Sequence, residues 1–150
     1  MTTWEMQTRK YLDSVREMDR VVADLQDEKD RLQQAIYAIG SPGAEERVNG
    51  FPTSDRTIRQ LMALERKREE LAAAYNAYTD YRLKVTEQIH KIPKENQRMV
   101  LYQHYMQFQS LRTIAEKQYF DYTYITRLRR EAIVAFWKKN KEVVEKYSKK

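Results

Sequence analysis

The stretch SLRTIAEKQYFDYTYITRLRREAIVAFW, from Ser110 to Trp137, decides how the chain is read. Ser110 is an N-cap residue type standing directly before LRTIAEKQ, in which Leu111, Ile114 and Ala115 fall on one side of a short helix. The turn is YFD, residues 119–121. Asp121 reads as the N-cap of a longer helix, YTYITRLRREAIVAFWKKNKEVVEKY, whose inner stripe is Ile125, Leu128, Ala132 and Phe136. A short helix, a tight turn and a longer helix make a helix-turn-helix.

The other side of the longer helix carries the chemistry. Opposite Ile125, Leu128 and Ala132 stand Thr123, Arg127 and Arg130, with Tyr122, Tyr124, Thr126 and Arg129 around them. Arginine pairs bidentately with guanine in the major groove, and a threonine methyl meets thymine. Tyrosine hydroxyls and further cations hold phosphate oxygens, a role that also suits Arg112, Lys117, Lys138 and Lys139. A merely solvated helix tends to mix charge signs so that neighbours pair. Between Tyr122 and Arg130 no acid interrupts three arginines.

The charge distribution agrees. Residues 1–90 hold 14 Lys and Arg against 16 Asp and Glu, a net −2, whereas residues 91–150 hold 14 against 6, a net +8. The whole basic excess therefore lies beside the helix-turn-helix, which points to a polyanionic partner, the alternative being a basic tail kept for solubility.

Upstream, the first 39 residues carry a seam of alternating three- and four-residue steps: Trp4, Tyr11, Val15, Met18, Val22, Leu25, Leu32, Ile36 and Ile39, broken by Thr8 and Lys29. GSPGAEERVNGFPTSD follows, with all three Gly and two of the three Pro, and reads as a loop. Thr53 or Ser54 is placed to cap a second helix. Its seam is Thr57, Leu61, Leu64, Arg68, Leu71, Tyr75, Tyr78, Arg82, Val85, Ile89 and Ile92. Laid antiparallel, Ile36 faces Leu61, Leu32 faces Leu64, Leu25 faces Leu71, Tyr11 faces Val85 and Trp4 faces Ile92. At mid-length Lys29 would face Arg68, so both must splay toward Glu65, Asp27 or Glu69, or take carboxylates from another chain. So narrow a seam buries little alone and needs the C-terminal helices or a second copy against it. Next, HKIPKENQRMVLYQHYMQF opens a helix with Pro93 at its first position and an inner face of Val100, Leu101, Tyr105 and Met106.

The expected architecture is all-α: a long, coiled-coil-like antiparallel hairpin over residues 1–92, with its loop at 40–54, then a helix-turn-helix bundle over 93–150. Low Gly and Pro and 33% charged residues fit long helices. Cysteine is absent, so no disulfide framework or thiolate chemistry is expected. His90 and His104 are the only histidines and lack partners at metal spacing; no metal, cofactor or catalytic residue is expected. No phosphate-binding loop or nucleophile elbow occurs, which argues against an enzyme. The N-terminal MTTWEMQTRK is no signal peptide and AIVAFW is too short to span a bilayer, so the expectation is a cytoplasmic protein without membrane contact.

The segment SLRTIAEKQYFDYTYITRLRREAI resembles the −35-reading C-terminal domain of bacterial sigma factors. There a Ser-hydrophobic-x-x-Ile-Ala helix leads through a turn to a recognition helix ending in Arg-Ala-hydrophobic. Leu111, Ile114, Ala115, Phe120, Ile125, Leu128 and Ala132 stand at its hydrophobic positions, Asp121 replaces the usual capping serine, and Gln118-Tyr119 stands where such turns often carry glycine. The chain as a whole is similar to small phage-encoded regulators of the ArpU and RinA type, with two N-terminal helices interrupted by a Ser-Pro-containing loop. The resemblance implies a sequence-specific transcriptional regulator of phage or prophage origin in a bacterial host cell. Its partners would be double-stranded DNA, a second copy of the chain as a dimer, and RNA polymerase. Two other readings share these residues: a ring-forming DNA-packaging protein like a small terminase subunit, and a protein-interaction module whose basic end meets an acidic partner.

Overall fold

The computed structural model describes residues 2–40 and 55–149, with side chains to Ala38 in the first segment. The described residues form six α-helices and no strand: α1 (Thr3–Gly40), α2 (Asp55–His90), α3 (Glu95–Leu101), α4 (Leu111–Gln118), α5 (Tyr122–Lys139) and α6 (Lys141–Ser148). A five-residue π-helical turn, Tyr102–Met106, continues α3. The expected loop interior and the caps at Thr53 and Ser54 lie outside the described residues.

Two compact units divide the chain, one formed by residues 1–18 with 79–150 and the other by residues 19–78. In the second unit α1 and α2 pack as the two arms of a hairpin. Ile36 and Leu64 are buried, while Val22, Leu25, Leu32 and Leu71 are half-buried. Lys67 Nζ reaches Glu28 across the arms at 2.7 Å, which sets the antiparallel alignment near the expected register. The facing cations do splay: Lys29 pairs with Asp30 at 2.9 Å and Arg68 leans to Glu65 at 3.9 Å. Leu61 and Tyr75 depart from their expected seam positions, being 46% and 56% exposed. Two helices shield only the narrow strip between them, so apolar residues beside that strip stay wet.

In the first unit the hairpin ends join the C-terminal helices around one core. Leu12 and Val15 of α1, Val85 and Ile89 of α2, and Ile114, Ile125, Ile133 and Phe136 further on are all essentially inaccessible. The Tyr11 ring lies against Tyr81, Phe136 and Tyr147, and its hydroxyl donates to Gln88. Thr8, which interrupts the apolar seam, is fully buried and donates its hydroxyl to the Trp4 carbonyl at 2.7 Å. A polar residue is thus tolerated in the seam because its own helix satisfies it. Trp4 stacks on Trp137 with ring centroids 4.6 Å apart. The boundary expected at residue 92 therefore differs from the compact units, because aromatic and amide contacts bind residues 1–18 and 79–92 to the C-terminal helices.

Three local readings change. Pro93 precedes the helix it was expected to begin: the N-cap is Lys94 and α3 starts at Glu95. Asp121 is the N-cap of α5 by position, yet its side chain makes no capping hydrogen bond. The final helix breaks at Asn140, whose buried Nδ2 donates to the carbonyls of Gln88 at 3.3 Å and Phe136 at 3.0 Å. The inner faces hold, with Val100, Leu101, Tyr105 and Met106 buried, along with Ile125, Leu128, Ala132 and Phe136.

Candidate nucleic-acid interface

The turn between α4 and α5 is built from both ends. Ser110 Oγ accepts a hydrogen bond from the Thr113 backbone amide at 3.1 Å, starting α4 where the sequence places it. At the other end Tyr119 adopts the left-handed conformation (φ 60°, ψ 41°). The Phe120 amide then reaches the Ala115 carbonyl at 2.9 Å and the Tyr119 amide reaches Glu116 at 3.4 Å. This is the Schellman arrangement, in which the left-handed position is usually glycine. Asp121 returns to extended backbone and α5 begins.

With its stripe of Ile125, Leu128, Ala132, Ile133 and Phe136 buried, α5 leaves Thr123, Arg127 and Arg130 exposed on the opposite side. Two aromatic–cation contacts organise the flanks. The Arg112 guanidinium lies 5.0 Å from the ring centre of Tyr122, tying α4 to the start of α5. Arg127 lies 5.6 Å from the ring centre of Tyr124, which also contacts Phe120 (ring centroids 5.0 Å) and accepts from Asn96 Nδ2 at 3.4 Å. These contacts rest the Arg112 and Arg127 guanidiniums against neighbouring rings while leaving their charge intact. Thr126 is half-buried and gives its hydroxyl to the Tyr122 carbonyl at 2.9 Å, so its polar atom is already engaged. Lys117, Lys138 and Lys139 are exposed.

Arg129 is a correction. It is half-buried and sits near Tyr105, Asp13 and His104, with its Nε buried and unpartnered. It belongs to the inner flank of α5, not to the exposed side with Thr123, Arg127 and Arg130. Burial there keeps the His104 imidazole below its ordinary value, against the opposing pull of the Gln109 carbonyl 2.8 Å from Nδ1. Partial desolvation raises the Asp13 carboxyl, opposed by His104 and Arg129.

Three contributors escaped the sequence reading. Arg9, from α1, lines a cleft with Thr2, Glu5 and Arg130, although 121 positions separate the two arginines. Asn96 comes from α3, and Tyr119 projects from the turn. Only the tertiary fold brings Arg9 and Asn96 to this surface; no local spacing signals them.

Among the described residues, ion pairs within 4 Å join Lys29 to Asp30, Arg31 to Asp27, Lys67 to Glu28 and Glu70, and Arg68 to Glu65. Arg112, Lys117, Arg127, Arg130, Lys138 and Lys139 make no ion pair within 4 Å among the described residues. Among those residues no cluster of His, Asp and Glu could hold a metal ion, and no helix is long and apolar enough to cross a membrane. Compared with known proteins, the chain matches no family model, no curated sequence and no solved structure.

Proposed function

We propose that this chain is a sequence-specific, double-stranded-DNA-binding transcriptional regulator of the sigma-like helix-turn-helix kind, of phage or prophage origin. In this reading it acts in the bacterial cytoplasm as a homodimer, with no catalytic activity and no cofactor. The observation that carries the reading is the exposed side of α5, with Thr123, Arg127 and Arg130 aligned opposite a buried stripe. α5 enters the major groove with its first turns, Arg127 and Arg130 read base edges, and Tyr122, Arg112, Lys117, Lys138 and Lys139 hold phosphates. The hairpin serves self-association and, secondarily, contact with RNA polymerase.

Selection of bound sequences from a random duplex pool tests this directly. A regulator enriches one site and prefers it over random duplex by about 10³-fold or more, with affinity falling steeply as salt rises. Arg127→Ala or Arg130→Ala should erode that preference by ~1–3 kcal/mol each. Lys138→Ala or Lys139→Ala should weaken all duplexes about equally and reduce the log–log salt slope by about 0.9 each. Equal losses from both sets would remove α5 as the reading helix. Absence of sequence preference together with a ring-sized solution mass would favour a packaging protein.

A further inference from the structure

Tyr119 is the most exposed large hydrophobic side chain among the described residues, 94% accessible, and it occupies the one backbone position of the turn that favours glycine. A Cβ-bearing residue at φ 60° is disfavoured relative to glycine, and Tyr119 recovers nothing by packing. Phe108, the other residue with positive φ, is different: it is half-buried and lies under the Arg16 guanidinium at 5.8 Å. An outlier that gains nothing inside the molecule points outward. The left-handed turn sets the phenol at the lip from which α5 starts, three residues before Tyr122 and four before Thr123. Phe120 and Tyr122 beside it are each about half exposed.

We propose that Tyr119 is a clamp on the DNA backbone. Its hydroxyl donates to a phosphate oxygen at the groove edge while its ring covers the adjoining deoxyribose, fixing the insertion of α5 without reading a base. The chemistry is that of a neutral donor with an apolar face, suited to a sugar–phosphate unit. This inference rests on the DNA-binding reading above.

Tyr119→Gly and Tyr119→Asn both keep the left-handed turn accessible while removing the phenol. The thermal midpoint of Tyr119→Gly should rise or stay level, and both variants should bind the selected site and random duplex more weakly by the same factor, ~10-fold. Because a phenol releases no counterion, the salt slope should match that of the unaltered protein, unlike the Lys138→Ala slope. Tyr119→Phe separates ring from hydroxyl and should fall between. Unaltered affinity in both the Gly and Asn variants, while the parent protein binds DNA with steep salt dependence, overturns the clamp and leaves the DNA-binding reading standing. A lowered thermal midpoint in Tyr119→Gly also overturns it, since the ring would then be structural. Failure of the parent protein to bind duplex with any salt dependence removes the underlying reading, and the clamp with it.

Discussion

Arg127 and Arg129 stand two positions apart on α5 and do different work. At 3.6 residues per turn, Arg129 is four residues after Ile125 and three before Ala132, which puts it on their face. Arg127 falls on the far side. The inward pose of Arg129 was therefore legible in the spacing, and residue type alone misdirected the expectation. Arg129→Ala should lower stability by up to about 1 kcal/mol in chemical denaturation, because it removes the cation beside the Asp13 carboxylate and the packing of a half-buried stem. Tyr124→Ala should leave the fold intact yet lower affinity for the preferred site, since Arg127 then loses the ring that restrains it. Melting curves and binding titrations of the two variants should sort oppositely. His104 adds a pH dependence. Its folded-state value lies below the unfolded value of 6.5, so the unfolded chain holds more protons in the interval between them. Stability from this group is therefore present above about pH 6.5 and lost as pH falls toward the folded value. His104→Gln should flatten that part of a stability–pH profile. Asp13, raised by desolvation, acts with the opposite sign at lower pH, its contribution fading as pH rises through its raised value.

At the scale of elements, the helix-turn-helix could be read almost residue by residue, whereas the end of α5 could not. Ser110 as N-cap, the buried Ile114 and Ala115, and the stripe of α5 follow from local spacing and capping chemistry. The break at Asn140 does not, because KKNKEVVEKY continues a helical pattern without Gly or Pro. What ends the helix is a tertiary bond, the Asn140 amide reaching the Gln88 carbonyl 52 positions earlier. Asn140→Asp replaces two donated hydrogen bonds with a carboxylate facing two carbonyls, and should cost about 2–4 kcal/mol at neutral pH. Equilibrium unfolding at neutral and acid pH checks it: the deficit should shrink once the aspartate is protonated. The π-helical turn at Tyr102–Met106 was equally invisible. It brings the Met106 carbonyl to the guanidinium of Arg82, again a long-range partner.

At the scale of the whole molecule, the alternation of three- and four-residue steps was enough to foresee two long antiparallel helices and their approximate register. It could not foresee where the compact units divide, because that depends on side chains such as Tyr11, Gln88 and Asn140 meeting across the fold. Among the described residues of the unit 19–78, Ile58, Leu61, Met62, Tyr75 and Tyr37 remain exposed, and of the large apolar groups only Ile36, Leu64 and Tyr78 are buried. Two helices with so little buried between them are weakly held alone. If this surface carries the proposed dimer, sedimentation should give twice the chain mass of 18.1 kDa, and Leu61→Lys with Met62→Lys should return it to one. A monomeric parent protein at micromolar concentration would leave the hairpin free for another partner.

The chain has two tryptophans, and they are stacked on each other, Trp4 from the first turns of α1 against Trp137 near the end of α5. Coupled indoles at 4.6 Å split their absorption into a paired circular-dichroism band that vanishes once the rings part. The molecule thus carries an unlabelled optical gauge of whether its amino terminus stays seated on the long C-terminal helix. Titrating duplex into the protein while recording that band would report directly on whether binding disturbs the seat.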